Sequence, residues 1–154
     1  MNESTTIIES GDFSFQLDQV QKWTEESGHP VAVEGLRGSS RAFFLSKLIK
    51  LKNRSVIIFT ADQTQAEILQ DDLKYFFHYE KIKRPIYFFP TWELLPYEQL
   101  SPLNEISGER LDILNRLRNG EPLILIVPLE AALQRVMPRA VLEKLVFPVN
   151  CKMS

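Results

Sequence analysis

The sequence predicts an α/β domain in three layers, with a mostly parallel sheet flanked by helices. Three observations predict it. Short apolar runs alternate with segments of helical periodicity. The runs are apolar throughout, the pattern of strands covered on both faces rather than one. Turn residues separate the segments, and strand–helix–strand order with short connections implies right-handed crossovers.

The elements follow in order. Phe15, Val20 and Trp23 recur at loose helical spacing, and Gly28 with Pro30 ends that segment. Val31-Ala32-Val33 reads as a first, buried strand. After a turn, Phe44, Leu45, Leu48 and Ile49 mark a helix that stops near Asn53. Val56–Phe59 is a second strand, and Asp62 or Thr64 can cap the following helix through a side-chain oxygen. That helix places Leu69, Leu73, Phe76 and Phe77 on one face, at i, i+4, i+7 and i+8. Ile86–Phe89 is a third strand, closed by Pro90. Ile106–Arg118 is a helix with Ile106, Arg110, Ile113, Leu114 and Leu117 inward, and Gly120 stands where a left-handed cap is wanted. Leu123–Val127 is a fourth strand, Leu129–Val136 a helix, and Pro138 opens a last short turn or helix.

The chain of 154 residues is long enough for one core, and 44% hydrophobic with 25% charged residues is ordinary for a globular protein. One domain over residues 1–148 with a frayed end at 149–154 is expected. No apolar run approaches the length of a membrane span, and the first residues lack a secretory pattern, which predicts a cytoplasmic protein without membrane contact. Cys151 alone forms no internal disulfide, and one Cys with two scattered His builds no metal site. A net charge of −2 argues against a free-standing nucleic-acid binder. The basic clusters Lys47, Lys50, Lys52, Arg54 and Lys81, Lys83, Arg84 read as solvated helix ends and turns.

The turn after the first apolar run is where doubly wound proteins bind phosphate. A working phosphate loop reads G-x-x-x-x-G-K-[ST]: the second Gly lets the backbone wrap the phosphates, the Lys reaches the outer ones, and the hydroxyl holds Mg²⁺. Here Gly35 opens correctly, Gly38 and Ser39 follow, and then Ser40, Arg41 and Ala42 replace Gly, Lys and Ser or Thr. Ser40 adds a Cβ, Arg41 offers a planar fork for a compact ammonium, and Ala42 has no oxygen for a metal. The expectation is a degenerate loop without catalysis or cofactor. The alternative is a nucleotide-binding domain with residual ATP or anion binding at Gly35, Gly38, Ser39, Ser40, Arg41 and Ala42, since a helix N-terminus still attracts anions.

Asp62 and Glu130 stand at strand ends where a metal-holding carboxylate could sit, but each reads more simply as a helix cap or first-turn acid. His29 and His78 have no nucleophile beside them in sequence, and Ser39 does not satisfy G-x-S-x-G. Phe88–Pro102 mixes aromatics and prolines, which could stack bases, yet no basic residue occurs between Ile86 and Glu109. A rigid loop packed over the sheet edge, or a protein-binding surface using Trp92, Leu94, Leu95 and Tyr97, fits better.

These segments resemble a known family. Phe89-Pro90-Thr91-Trp92-Glu93-Leu94-Leu95-Pro96-Tyr97, then Ser101-Pro102 and Ile106-Ser107-Gly108-Glu109-Arg110-Leu111, is similar to a signature of bacterial transcription-repair coupling factors. Gly35–Ala42 resembles that family's degenerate phosphate loop, and Ile126–Leu129 with Leu133-Gln134-Arg135 its next strand and helix. The resemblance covers Val31–Leu145 and implies a P-loop-NTPase-like domain, similar to the first domain of the excision nuclease B subunit but without its ATPase activity. It also implies a parent with a separate ATP-dependent DNA translocase motor that meets DNA and RNA polymerase. The parent's amino-terminal region recruits the excision nuclease A subunit, mainly through a following domain. In the B subunit an aromatic hairpin enters DNA after the third strand; a short Pro-containing connection replaces it here, so DNA insertion is not expected. This chain is then a non-catalytic scaffold fragment acting in nucleotide excision repair.

Overall fold

The computed structural model describes residues 17–20, 22, 30–51, 54–92 and 104–145. The expectations at Phe15, Trp23 and Gly28, at Leu94, Leu95 and Tyr97, and at the C-terminal end from residue 146 lie outside the described residues.

The described elements are α1 (Ser40–Leu51), β1 (Val56–Thr60), α2 (Gln63–Tyr79), β2 (Ile86–Phe88), α3 (Asn104–Arg118), β3 (Ile124–Pro128), α4 (Leu129–Leu133) and α5 (Arg139–Leu145). The three strands form a parallel sheet in the order β1-β3-β2. The fold is α/β, a parallel sheet flanked by helices, consistent with a three-layer domain. Two compact units are distinguished: Met1–Asn53 with Asp71–Lys83, and Arg54–Gln70 with Arg84–Ser154.

In the second unit, β3 is buried at every position, as its unbroken Ile-Leu-Ile-Val run requires of a central strand. Leu125 and Val127 point to one face and join Leu123, Phe89, Ile113 and Ala131 in an apolar cluster, with Tyr87, Leu114 and Leu117 packed against it. Fully burying each Leu or Ile contributes about 1.5–3 kcal/mol. Helix α3 ends as expected. Gly120 takes φ +72°, its N–H bonds Leu117 O at 3.1 Å, and the Glu121 N–H bonds Arg116 O at 3.1 Å. This is the paired closure of a Schellman cap. Asp62, not Thr64, caps α2: its Oδ1 accepts the Gln65 N–H at 2.8 Å.

In the first unit, Phe43 of α1 meets Phe76 of α2 with ring centroids 5.4 Å apart, and Ala42, Phe44, Ile49, Leu73 and Phe77 are buried. Helix α2 closes like α3, with Ile82 N–H on Phe77 O at 2.9 Å and Lys81 N–H on His78 O at 3.2 Å. The left-handed position falls on Lys81, at φ +57°, where no glycine was available. Lys47 and Lys50, expected to be solvated, both reach the Glu80 carboxylate, Lys50 at 2.7 Å.

Those two ammonium groups hold the Glu80 carboxyl below the ordinary glutamate range, through the Lys47 hydrogen bond first and the Lys50 hydrogen bond second, against the opposing pull of desolvation. A depressed folded-state value gives a contribution that is complete above the unfolded value of about 4.3 and is lost as pH falls through the lower folded value. Melting temperatures of the natural chain and a Glu80→Gln variant are expected to differ most near neutral pH and to converge below about pH 4. A gap that stays constant into acid would show that the carboxylate charge is not what holds α1 to the end of α2.

Two sequence expectations are corrected. Val31-Ala32-Val33 is not a strand. It pairs with no described strand, and Val31 and Val33 are half-buried while Ala32 is exposed. Three apolar residues are a weak strand signal, and without a ladder partner the backbone has no reason to adopt one. Second, β1 is not buried on both faces among the described residues: Ile57 is 49% and Phe59 64% exposed.

Candidate functional site

The 35–42 turn is built from two left-handed glycines and one serine. Gly35 sits at φ +83° and Gly38 at φ +53°, conformations that side chains resist. Between them and the helix, Ser40 closes the loop on itself. Its Oγ donates to Arg37 O at 2.7 Å and accepts the Arg37 N–H at 2.8 Å, while the Ser40 N–H also bonds Arg37 O at 3.2 Å. The Phe43 N–H bonds Ser39 O at 3.0 Å, and the Arg41 N–H makes a longer contact, 3.4 Å, with Gly38 O. Arg41 folds back so that Nε faces Leu36 O, also at 3.4 Å.

A phosphate cradle needs backbone N–H groups aimed outward at an anion. Here the N–H groups of Arg37, Ser40, Arg41 and Phe43 already have oxygen partners from the turn and the residues beside it. The Ser40 hydroxyl, which replaces a hydrogen in the usual motif, is the group that takes the Arg37 N–H. Ala42 is fully buried, so the position that would carry a metal-holding hydroxyl is closed to solvent. Gly38, Ser39, Ser40 and Arg41 are exposed. The turn leads into α1, and residues 30–37 before it form no described strand.

The second cluster centres on Arg110. Its place on the inner side of α3 puts a guanidinium at 2% exposure. The side chain is held from several directions. Its guanidinium carbon lies 4.2 Å from the Phe89 ring centroid and 4.7 Å from that of Trp92. Nη1 donates to Pro90 O at 2.5 Å and to Gln134 Oε1 at 3.3 Å. Gln134 Oε1 also accepts the Trp92 N–H at 2.8 Å, and its Nε2 makes a long contact with Trp92 O, 3.4 Å. Burial pulls the Arg110 pKa down, yet a guanidinium stays charged in a protein. The charge is met by two ring faces and two neutral oxygens rather than by a described carboxylate.

The structure therefore brings Trp92 and Arg110 together, and adds Phe89 and Gln134, which sequence reasoning did not assign to a site. Periodicity could place Arg110 inward; nothing local indicates that Gln134, 24 residues further on, bridges it to Trp92. Asp62 serves as a helix cap, and Glu130 is exposed in the first turn of α4. His78 is exposed in the last turn of α2. Among the described residues no group of three or more His, Cys, Asp or Glu could hold a metal ion, and no helix is long and apolar enough to cross a membrane.

No family model matches the chain. Curated proteins do. The chain is 32% identical over 137 residues to the transcription-repair-coupling factor of Bacillus subtilis, covering 89% of this chain and 11% of that protein. It is 28% identical over 120 residues to the coupling factor of Haemophilus influenzae, covering 78% of this chain and 10% of that one. It is also 28% identical over 108 residues to that of Escherichia coli, covering 70% and 9%. The chain thus spans about a tenth of the length of the curated relatives it matches. With four such matches carrying one name, the chain belongs to the transcription-repair-coupling factor family as a fragment of it.

Proposed function

We propose that this segment is a non-catalytic scaffold domain of a coupling factor, acting in transcription-coupled nucleotide excision repair. In this reading the parent supplies the ATP-dependent translocase, meets DNA and RNA polymerase, and recruits the excision nuclease A subunit through its amino-terminal region. The segment supports neighbouring parts of the parent and packs against them to restrain the motor. The observation that carries the non-catalytic part is the self-closed turn: Ser40 satisfies both Arg37 backbone groups, and Ala42 is buried. The Arg110–Trp92–Gln134 cluster serves the same architectural role by holding Trp92 in place.

The self-closed turn also weighs against residual ATP or anion binding, because a phosphate would have to displace hydrogen bonds already made. Titration calorimetry of the natural chain with ATP and Mg²⁺ is expected to give no saturable heat. A variant carrying Ser40→Gly, Arg41→Lys and Ala42→Thr is expected to stay silent as well and to be less stable by about 1–3 kcal/mol, the cost of forcing a larger side chain into the packed position 42. Saturable, Mg²⁺-dependent binding of micromolar ATP by the natural chain would overturn the scaffold reading in favour of a nucleotide sensor.

A further inference from the structure

The chain contains a single Asn-Gly pair, Asn119-Gly120, and it falls at the end of α3. Both residues are exposed. An asparagine followed by glycine is open to intramolecular attack, because no Cβ on the following residue hinders the approach of its backbone nitrogen to the side-chain amide. The Asn119 amide is also activated. Arg118 Nη2 donates to Asn119 Oδ1 at 3.3 Å, and a cation on that oxygen stabilises the negative charge that develops there when the amide carbon is attacked. The nucleophile, in contrast, is engaged. The Gly120 N–H bonds Leu117 O at 3.1 Å with Gly120 at φ +72°, and the Glu121 N–H bonds Arg116 O. Across the same closure Arg116 Nη1 donates to Glu121 Oε2 at 3.1 Å. The Asn119 N–H is itself tied to Asn115 O at 2.9 Å.

We propose that Asn119 is a site of spontaneous deamidation and that the cap of α3 is the brake on it. When the cap opens, base removes the Gly120 amide proton and the nitrogen attacks Asn119 Cγ. The new C–N bond closes a succinimide ring, the Cγ–Nδ2 bond breaks, and ammonia leaves with a proton taken from water. Water then opens the ring. Attack at Cγ gives aspartate; attack at the main-chain carbonyl gives isoaspartate, with the backbone routed through the side chain. Either product turns a neutral amide into a carboxylate and makes the net charge of −2 more negative by one unit. That charge arrives at a helix C-terminus, where negative charge is unfavourable. Isoaspartate also inserts a methylene into the backbone before Gly120, so its N–H no longer falls opposite Leu117 O. The modified chain therefore has a looser end of α3.

The test ages the 154-residue chain in mildly alkaline buffer and follows position 119 by peptide mass spectrometry. In urea the chain is expected to convert at the rate of a free Asn-Gly peptide. Folded, it should convert roughly 10- to 100-fold more slowly, the range set by two net backbone hydrogen bonds. Deamidation and hydrogen exchange both proceed through the Gly120 nitrogen stripped of its proton. The exchange protection of the Gly120 amide, read by NMR, should therefore match that slowing within about threefold. Glu121→Ala removes the Arg116 contact across the cap. It should raise the folded-state rate about two- to fivefold and leave the rate in urea unchanged. Two results would overturn the proposal. One is an Asn119 that stays intact in urea while the free peptide converts. The other is a folded chain that converts as fast as the unfolded one, or at a rate out of step with Gly120 protection. Neither readout involves nucleotide, so this inference and the scaffold reading stand or fall separately.

Discussion

Replacing Arg110 with alanine is expected to destabilise the fold by about 3 kcal/mol, a drop in melting temperature of about 6–12 °C. Two losses combine. Hydrogen bonds from a charged donor contribute about 1.5–3 kcal/mol, and a desolvated cation over an aromatic face about 2 kcal/mol or more. Both apply here, since Nη1 serves Pro90 O and Gln134 Oε1 and the guanidinium meets Phe89 and Trp92. Arg110→Lys keeps the charge but loses the planar fork, so it should recover under half of the loss. Arg110→Met keeps most of the packing and isolates the polar share. Thermal melts followed by circular dichroism read all three. An alanine variant melting within about 2 °C of the natural chain would show that the cluster is incidental to stability.

Ile113→Ala is expected to cost about 3–4 kcal/mol, because the cavity opens in the centre of the apolar cluster. Ile113 is 1% exposed and belongs with Phe89, Leu123, Leu125, Val127 and Ala131, and a well-packed site of this kind collapses only partly around a truncated side chain. The two α3 substitutions should not add. Arg110 stacks on Phe89, and Phe89 shares the cluster with Ile113. Loosening Phe89 from one side removes part of what the other side was holding. The double variant should lose at least about 0.5 kcal/mol less than the two single losses summed. Urea denaturation at matched m-values gives all four stabilities. Strict additivity would show that Phe89 does not connect the two residues.

The elements that were legible in the sequence share one property: their signal is local. β3 shows as an unbroken apolar run and is buried along its whole length. The inward face of α2 shows as Leu69, Leu73, Phe76 and Phe77, all partly or fully buried. Gly120 advertises its left-handed cap. What stayed hidden depends on distant partners. Val31–Val33 looks like the other apolar runs, but a strand exists only with a neighbour to bond, and three residues do not reveal whether one is present. β1 looks like β3, and only the strand order places it at the edge of the described sheet, with Ile57 and Phe59 exposed. At the site, the departures at positions 40–42 could be read from the motif, but the way Ser40 turns its hydroxyl back onto Arg37 could not. The end of α2 is similar: the cap closes on Lys81 without the glycine that would have signalled it.

The burial of Ala42 bears on how such a turn could change over generations. Removing the Ser40 hydroxyl frees the Arg37 backbone, and a lysine at 41 is a single exchange of one cation for another. Position 42 is different, because it is fully buried. A hydroxyl-bearing residue there must wait for compensating changes among its neighbours, and each intermediate is less stable than its ancestor while binding nothing. Selection for nucleotide binding would find no improving single step, whereas drift at Ser39 would be tolerated. A turn built this way is expected to vary at Ser39, to keep glycine at 35 and 38 where φ is positive, and to keep a small residue at 42.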